Sequence, residues 1–214
     1  MSDQSMQTTL YSFAEEAPAP ERTEQRAGER HLTLFRVGAI TLGERRELCL
    51  IKNISAGGMM IRAYCKVREG DRLTVELKSG EPISGRAIWT KEHNVGVQFD
   101  HKIDVLHILH TSMEGPRPRM PRIEVDCAAT LYLDCRPIPA RIEDISQGGV
   151  KVAVREVLPR GKDLGVGLPG LAPIRASVCW QDDECAGITF NTLMPLNDLV
   201  RWLDQQRTPI SRAS

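Results

Sequence analysis

Asn53-Ile54-Ser55-Ala56-Gly57-Gly58 returns 91 residues later as Asp144-Ile145-Ser146-Gln147-Gly148-Gly149. The register of that return extends beyond the hexapeptide. Gly58 lies 31 residues before Trp89 and Gly149 lies 31 before Trp180, and each Trp stands 10 residues before a phenylalanine, Phe99 or Phe190. Three spacings kept in step mark a duplication. A unit of about 90 residues is too long for one coil of a solenoid and long enough to enclose its own core. The chain therefore reads as two copies of one small domain.

Composition agrees. At 214 residues, 41% hydrophobic and 26% charged, the chain is ordinary for one or two globular domains. Lys plus Arg equals Asp plus Glu at 28 each, so no net field draws the whole molecule to nucleic acid or to an anionic membrane. Any anion site has to be local. No apolar run approaches the roughly 18 residues of a membrane span, and the amino terminus lacks a basic segment followed by an apolar one. The expectation is a cytoplasmic protein without a membrane span. Cys49, Cys65, Cys127, Cys135, Cys179 and Cys185 form no close pair of the kind that holds zinc, and mostly fall in apolar runs, which predicts buried, reduced thiols. His107 and His110 sit three apart on a predicted helix with no further ligand in view, so no metal site is expected.

In chain order, residues 1–25 are rich in Ser, Gln, Glu, Ala and Pro and read as a flexible tail, within which Leu10-Tyr11-Ser12-Phe13 is the one apolar cluster. From His31 the pattern becomes that of strands. Leu73, Val75 and Leu77 alternate with polar residues; Ile83, Gly85, Ala87 and Trp89 share one face at spacing two, as do Val95, Val97 and Phe99. Turn chemistry at Gly43, Gly70, Gly80 and Asn94 divides the stretch into about six short strands, a density that predicts a closed antiparallel barrel. Residues 102–113 switch to helical spacing and predict a helix over one mouth. Pro116, Pro118 and Pro121 then forbid helix, which makes 114–121 a linker. The second copy spans 122–206 and closes with a helix over about 195–206; 207–214 reads as a tail. The fold class predicted is mainly β: two six-stranded antiparallel barrels, each followed by a helix.

Gly165-Val166-Gly167-Leu168-Pro169-Gly170 matches the dinucleotide-binding pattern GxGxxG letter for letter. Pro169 stands where a helix should run on, and the repeat equates the segment with the strand Leu73 to Leu77, so a nucleotide-binding crossover is rejected. Neither repeat serine has an evident His and acid partner, and no enzymatic activity is expected.

In each repeat the Asn or Asp and the Ser present short polar groups at spacing two, on one strand face, and the glycines allow close backbone approach or positive φ. Such a stretch by itself equally describes a plain hairpin turn. A second feature favours a ligand. Arg26 and Arg30, four apart, precede the first barrel. Guanidinium forks bind phosphate bidentately and pair with or stack on guanine, which suits a ligand combining phosphates with purines.

RxxxR followed by [D/N]xSxxG, with a late Trp and a Val-Gly-Val-x-Phe strand, resembles the PilZ domain. Two copies of that resemblance cover nearly all of the chain after the tail, with domain 1 at 26–113. The resemblance implies six-stranded barrels with carboxy-terminal helices and a receptor for the bacterial second messenger cyclic di-GMP, with no cofactor besides that ligand. It assigns Arg26 and Arg30 to phosphates and guanine faces, Asn53 and Ser55 to hydrogen bonds with a guanine or phosphate, and Gly58 to close backbone approach. The second copy departs from the pattern. Arg122, 22 residues before Asp144, matches Arg30, but four residues earlier stands Pro118, flanked by Arg117 and Arg119. Asp144, Ser146 and Gly149 are intact, so a weaker second site is expected at most.

The implied mechanism is a binding switch that changes the surface offered to a downstream protein partner. The competing class is a protein-interaction adaptor whose degenerate barrels bind no nucleotide. Single-stranded nucleic-acid binding is disfavoured by the neutral charge and an aromatic content of 5%.

Overall fold

The computed structural model describes residues 32–77, 82–111 and 120–207. In the first repeat the strands are β1 (Leu32–Leu42), β2 (Arg45–Ser55), β3 (Gly58–Ala63), β4 (Arg72–Glu76), β5 (Ile83–Lys91) and β6 (Asn94–Phe99), followed by helix α1 (Val105–Thr111). In the second they are β7 (Ile123–Leu133), β8 (Arg136–Ser146), β9 (Gly149–Ala153), β10 (Asp163–Gly167), β11 (Ile174–Gln181) and β12 (Cys185–Phe190), followed by α2 (Leu196–Arg207). Both sheets are closed antiparallel barrels, ordered β1-β2-β3-β6-β5-β4 and β10-β11-β12-β9-β8-β7. The predicted fold class is what forms. Closure comes from β1 pairing with β4 and β7 with β10, which leaves no open sheet edge. The alternating residues do as the pattern dictates: Ile40, Cys49, Ile51, Ile61, Val75 and Val97 pack inside the first barrel, and Leu131, Ile142, Val152, Val166 and Ile188 inside the second.

The duplication extends to irregularities. Bulges between Thr33 and Arg36, Ile51 and Asn53, and Ala87 and Trp89 recur between Glu124 and Cys127, Ile142 and Asp144, and Val178 and Trp180. The third bulge corrects the expectation that Trp89 shares the inward face of Ile83, Gly85 and Ala87. Those three are buried, whereas Trp89 is 37% exposed and Trp180 40%, because one extra residue reverses the alternation. The expectation of buried thiols is likewise only partly met. Cys49 is buried, but Cys135 and Cys179 are exposed, the first in the β7–β8 turn and the second on the outer face of β11.

Helix α1 begins at Val105 rather than at residue 102, because the Asp104 carboxylate caps it by accepting the His107 amide at 3.0 Å. Residues 112–113, expected in the same helix, lie outside the described residues, as do the 1–25 tail and linker residues 114–119. Helix α2 buries Leu199, Trp202 and Leu203 over the second barrel and retains Arg207, expected in the tail. Trp202 Nε1 donates to the Pro169 carbonyl at 3.0 Å, fastening the helix to the GxGxxG-like segment. That segment is β10 and a turn with Gly170 at φ +76, and no crossover helix follows it.

The barrels touch through β2. Leu48 packs into the core of the second barrel, and Val37 of the neighbouring β1, partly buried, packs against that core. Glu47, 7% exposed, accepts from Arg45 at 3.2 Å and from Arg207 at the end of α2. Arg46 Nε donates to the Arg122 carbonyl at 3.2 Å. One strand thus carries the docking contact in its first half and the repeated motif in its second.

Candidate functional site

The bulge in β2 shapes the motif. Ile51 and Ile54 both face inward and are buried, so the two residues between them, Lys52 and Asn53, both project outward. In β8, Glu143 and Asp144 project together between Ile142 and Ile145 for the same reason. The motif serines stand at the hairpin turns that follow. Ser55 Oγ donates to the Gly58 carbonyl at 3.0 Å; Ser146 Oγ donates to the Gly149 carbonyl and accepts from the Gly148 amide, both at 3.3 Å, and Ser146 is 3% exposed.

The glycines have a packing role that the sequence did not reveal. A Cβ on Gly58 would lie 2.5 Å from the Val97 carbonyl oxygen, and one on Gly149 would lie 2.2 Å from that of Ile188. Neither glycine adopts positive φ; the left-handed glycines among the described residues are Gly43, Gly70, Gly161 and Gly170. Close backbone approach is required here by the neighbouring strand of the barrel. The turn is also tied to the chain leading to each helix: the Gly57 and Ala56 carbonyls accept from Phe99 and Ile103, and those of Gly148 and Gln147 from Phe190 and Met194.

The two copies differ at the leading residue. Asp144 accepts a charge-assisted hydrogen bond from Arg122 Nη1 at 2.5 Å. The Asn53 side-chain carboxamide makes no hydrogen bond to any other described residue. Around Asp144 lies an open cleft of about 580 Å³ whose walls include the carboxylates of Glu124, Asp126, Glu143 and Asp144 and the cations of Arg141 and Lys151. Those cations are engaged, Arg141 with Asp126 and Lys151 with Glu143 at 2.7 Å. The hydrogen bond from Lys151 holds the Glu143 carboxyl below its ordinary value. The same positions of the first barrel, 91 residues earlier, bear Thr33, Phe35, Lys52 and Asn53 in place of the four acids. Aligning the copies residue by residue would have shown this difference in the sequence; the bulge that turns Lys52 outward would not have appeared.

Arg26 and Arg30 lie outside the described residues, as do Arg117 and Arg119. The ladders keep the offset of 91 throughout, which sets Arg117 against Arg26, Pro121 against Arg30 and Arg122 against His31. Arg122 is thus one residue out of the match that motif spacing suggested. Among the described residues no three His, Cys, Asp or Glu side chains are grouped to hold a metal ion, and no helix is long and apolar enough to cross a membrane.

Comparison with known proteins finds no match among curated sequences. Similar solved structures include Borreliella burgdorferi PlzA in complex with c-di-GMP, 12% identical over 81% of this chain and 88% of that one, TM-score 0.36. Escherichia coli YcgR in complex with c-di-GMP is 12% identical over 80% and 81%, TM-score 0.32. MrkH, described as a c-di-GMP-dependent transcription regulatory factor, is 14% identical over 79% and 82%, TM-score 0.28. The PilZ domain model matches twice, over residues 22–110 and 116–205. Two matches spanning most of the chain, on two closed barrels that keep one register, show that this protein belongs to the PilZ family.

Proposed function

We propose that the chain is a receptor for cyclic di-GMP that binds the nucleotide on its first barrel and passes a conformational change to a protein partner. The observation that carries this reading is the state of the two motif heads. Asp144 is paired with Arg122, whereas the Asn53 carboxamide is unengaged among the described residues and stands beside a cation, Lys52, where the positions matching the four acids of the second barrel carry none. An anionic ligand gains at the first site and meets carboxylates at the second. Arg26 and Arg30 supply guanidinium groups to phosphates and guanines, Asn53 a hydrogen bond, and the Ser55–Gly58 turn a rigid base. No reaction is required of the protein.

The route to the partner runs along β2, since the strand that bears Asn53 also holds Glu47 against Arg207 and Leu48 in the second core. Ligand that pulls on one half of this strand shifts the docking half. The test is calorimetric titration of the full chain with cyclic di-GMP, together with its melting temperature. Saturable binding to one site per chain and a raised melting temperature support the reading. A flat trace would leave the adaptor as the description of this protein.

A further inference from the structure

We infer that the outer face of β1–β3 is a second recognition surface for the same nucleotide, with Phe35 as a stacking platform for a purine and Lys52 and Arg62 as its anion contacts. This rests on the receptor reading above and extends its site beyond the arginine pair and the motif. Three observations carry it.

Phe35 is 72% exposed, one of the most exposed large apolar side chains described. It lies in the bulge between Thr33 and Arg36, on the strand beside Lys52 and Asn53. An aromatic ring left in water at a site that a nucleotide approaches offers its π-face to a base.

The second barrel shows which of these positions meet. Asp126, at the position of Phe35, pairs with Arg141, at the position of Leu50; Glu143, at that of Lys52, pairs with Lys151, at that of Met60. Arg62 is registered against Leu50 and Met60 against Asn53, so β1, β2 and β3 present one continuous outer patch.

Charge separates the copies. On the second barrel the patch is acidic and its cations are ion-paired. On the first, neither Lys52 nor Arg62 has a carboxylate partner among the described residues. Lys52 Nζ donates to the Asn94 carboxamide oxygen at 2.7 Å, and Arg62 lies 5.8 Å from the centre of the Tyr64 ring. Both charges remain available to a phosphate.

The test is titration with cyclic di-GMP of the full chain and of Phe35→Ala, Phe35→Tyr, Lys52→Glu and Arg62→Ala. Loss of a stacked base predicts an affinity for Phe35→Ala weaker by about 5- to 150-fold, with Phe35→Tyr near the parent. Lys52→Glu places a carboxylate near phosphate and predicts a loss of at least about 10-fold that shrinks as salt rises. Melting temperatures without ligand should stay within a degree or two of the parent, since these are surface positions. If the parent binds and Phe35→Ala and Lys52→Glu bind equally well, the patch is not part of the site while the receptor reading stands. If the parent itself gives no heat, both fail.

Discussion

The Trp89 indole occupies the space a side chain at residue 96 would need: a Cβ on Gly96 would lie 2.1 Å from Trp89 Nε1, and Gly187 stands in the same relation to Trp180, also at 2.1 Å. Each pair is cross-strand neighbours just past a bulge. The ring covers backbone that glycine leaves bare. Gly96→Ala should cost about 1 kcal/mol, because the half-exposed indole can swing out. Gly58→Ala should cost about 3 kcal/mol, because its Cβ meets a strand carbonyl that cannot retreat. Chemical denaturation measures both; equal costs would show that the Gly58 strand yields as readily as the tryptophan.

Arg207 closes on Glu47 from the far end of the chain. Removing it leaves a buried carboxylate with, among the described residues, the exposed Arg45 as its one ion-pair partner, so Arg207→Ala should destabilise by about 1–3 kcal/mol. A double-mutant cycle with Glu47→Ala should return most of that loss as coupling. Additive losses would show that the contact holds nothing together.

Burial pushes the Cys49 thiol up from its ordinary 9.0 to about 12. The folded form therefore holds its proton after the unfolded chain has lost it. The stability this contributes is intact below pH 9 and falls away as pH rises from there towards 12. Cys49→Ala should flatten that part of the stability profile. At neutral pH an alkylating reagent should modify exposed Cys135 and Cys179 at once and spare Cys49; rapid labelling of Cys49 would mean that the first barrel opens readily.

The β7–β8 turn holds two non-glycine residues in the left-handed region, Asp134 at φ 48 and Cys135 at φ 65. A two-residue turn of this kind favours glycine at its second position. Cys135→Gly should therefore stabilise the protein by about 1 kcal/mol, read as a shift in the denaturation midpoint.

Arg30→Ala should abolish cyclic di-GMP binding without lowering the melting temperature of the free chain. Arg122→Ala should leave affinity near the parent, because Arg122 serves Asp144 rather than the first site. Loss of a ligand equivalent from Arg122→Ala would assign the binding to the second barrel instead.

Much of the fold is legible in the residues. Alternation at Leu73, Val75 and Leu77, the return of the Asn53–Gly58 stretch at Asp144–Gly149 and the helical spacing near 103 and 199 yield two barrels and two helices, because period-two burial and turn chemistry are local properties. The candidate site was less legible. Ser55 and Gly58 read as ligand contacts, and the structure adds that Ser55 Oγ closes its own turn and that Gly58 makes room for a neighbouring strand, roles that spacing does not carry.

What the sequence determined alone is the duplication and the strand pattern, since both are written in the order of residue types. What tertiary structure decided is which of those residues face out and which meet. A single extra residue in β2 turns Lys52 and Asn53 outward together, another in β5 lifts Trp89 onto Gly96, and the docking of α2 against β2 brings Glu47 to Arg207 across 160 residues. Bulges and docking depend on partners remote in the chain, and no local pattern encodes them.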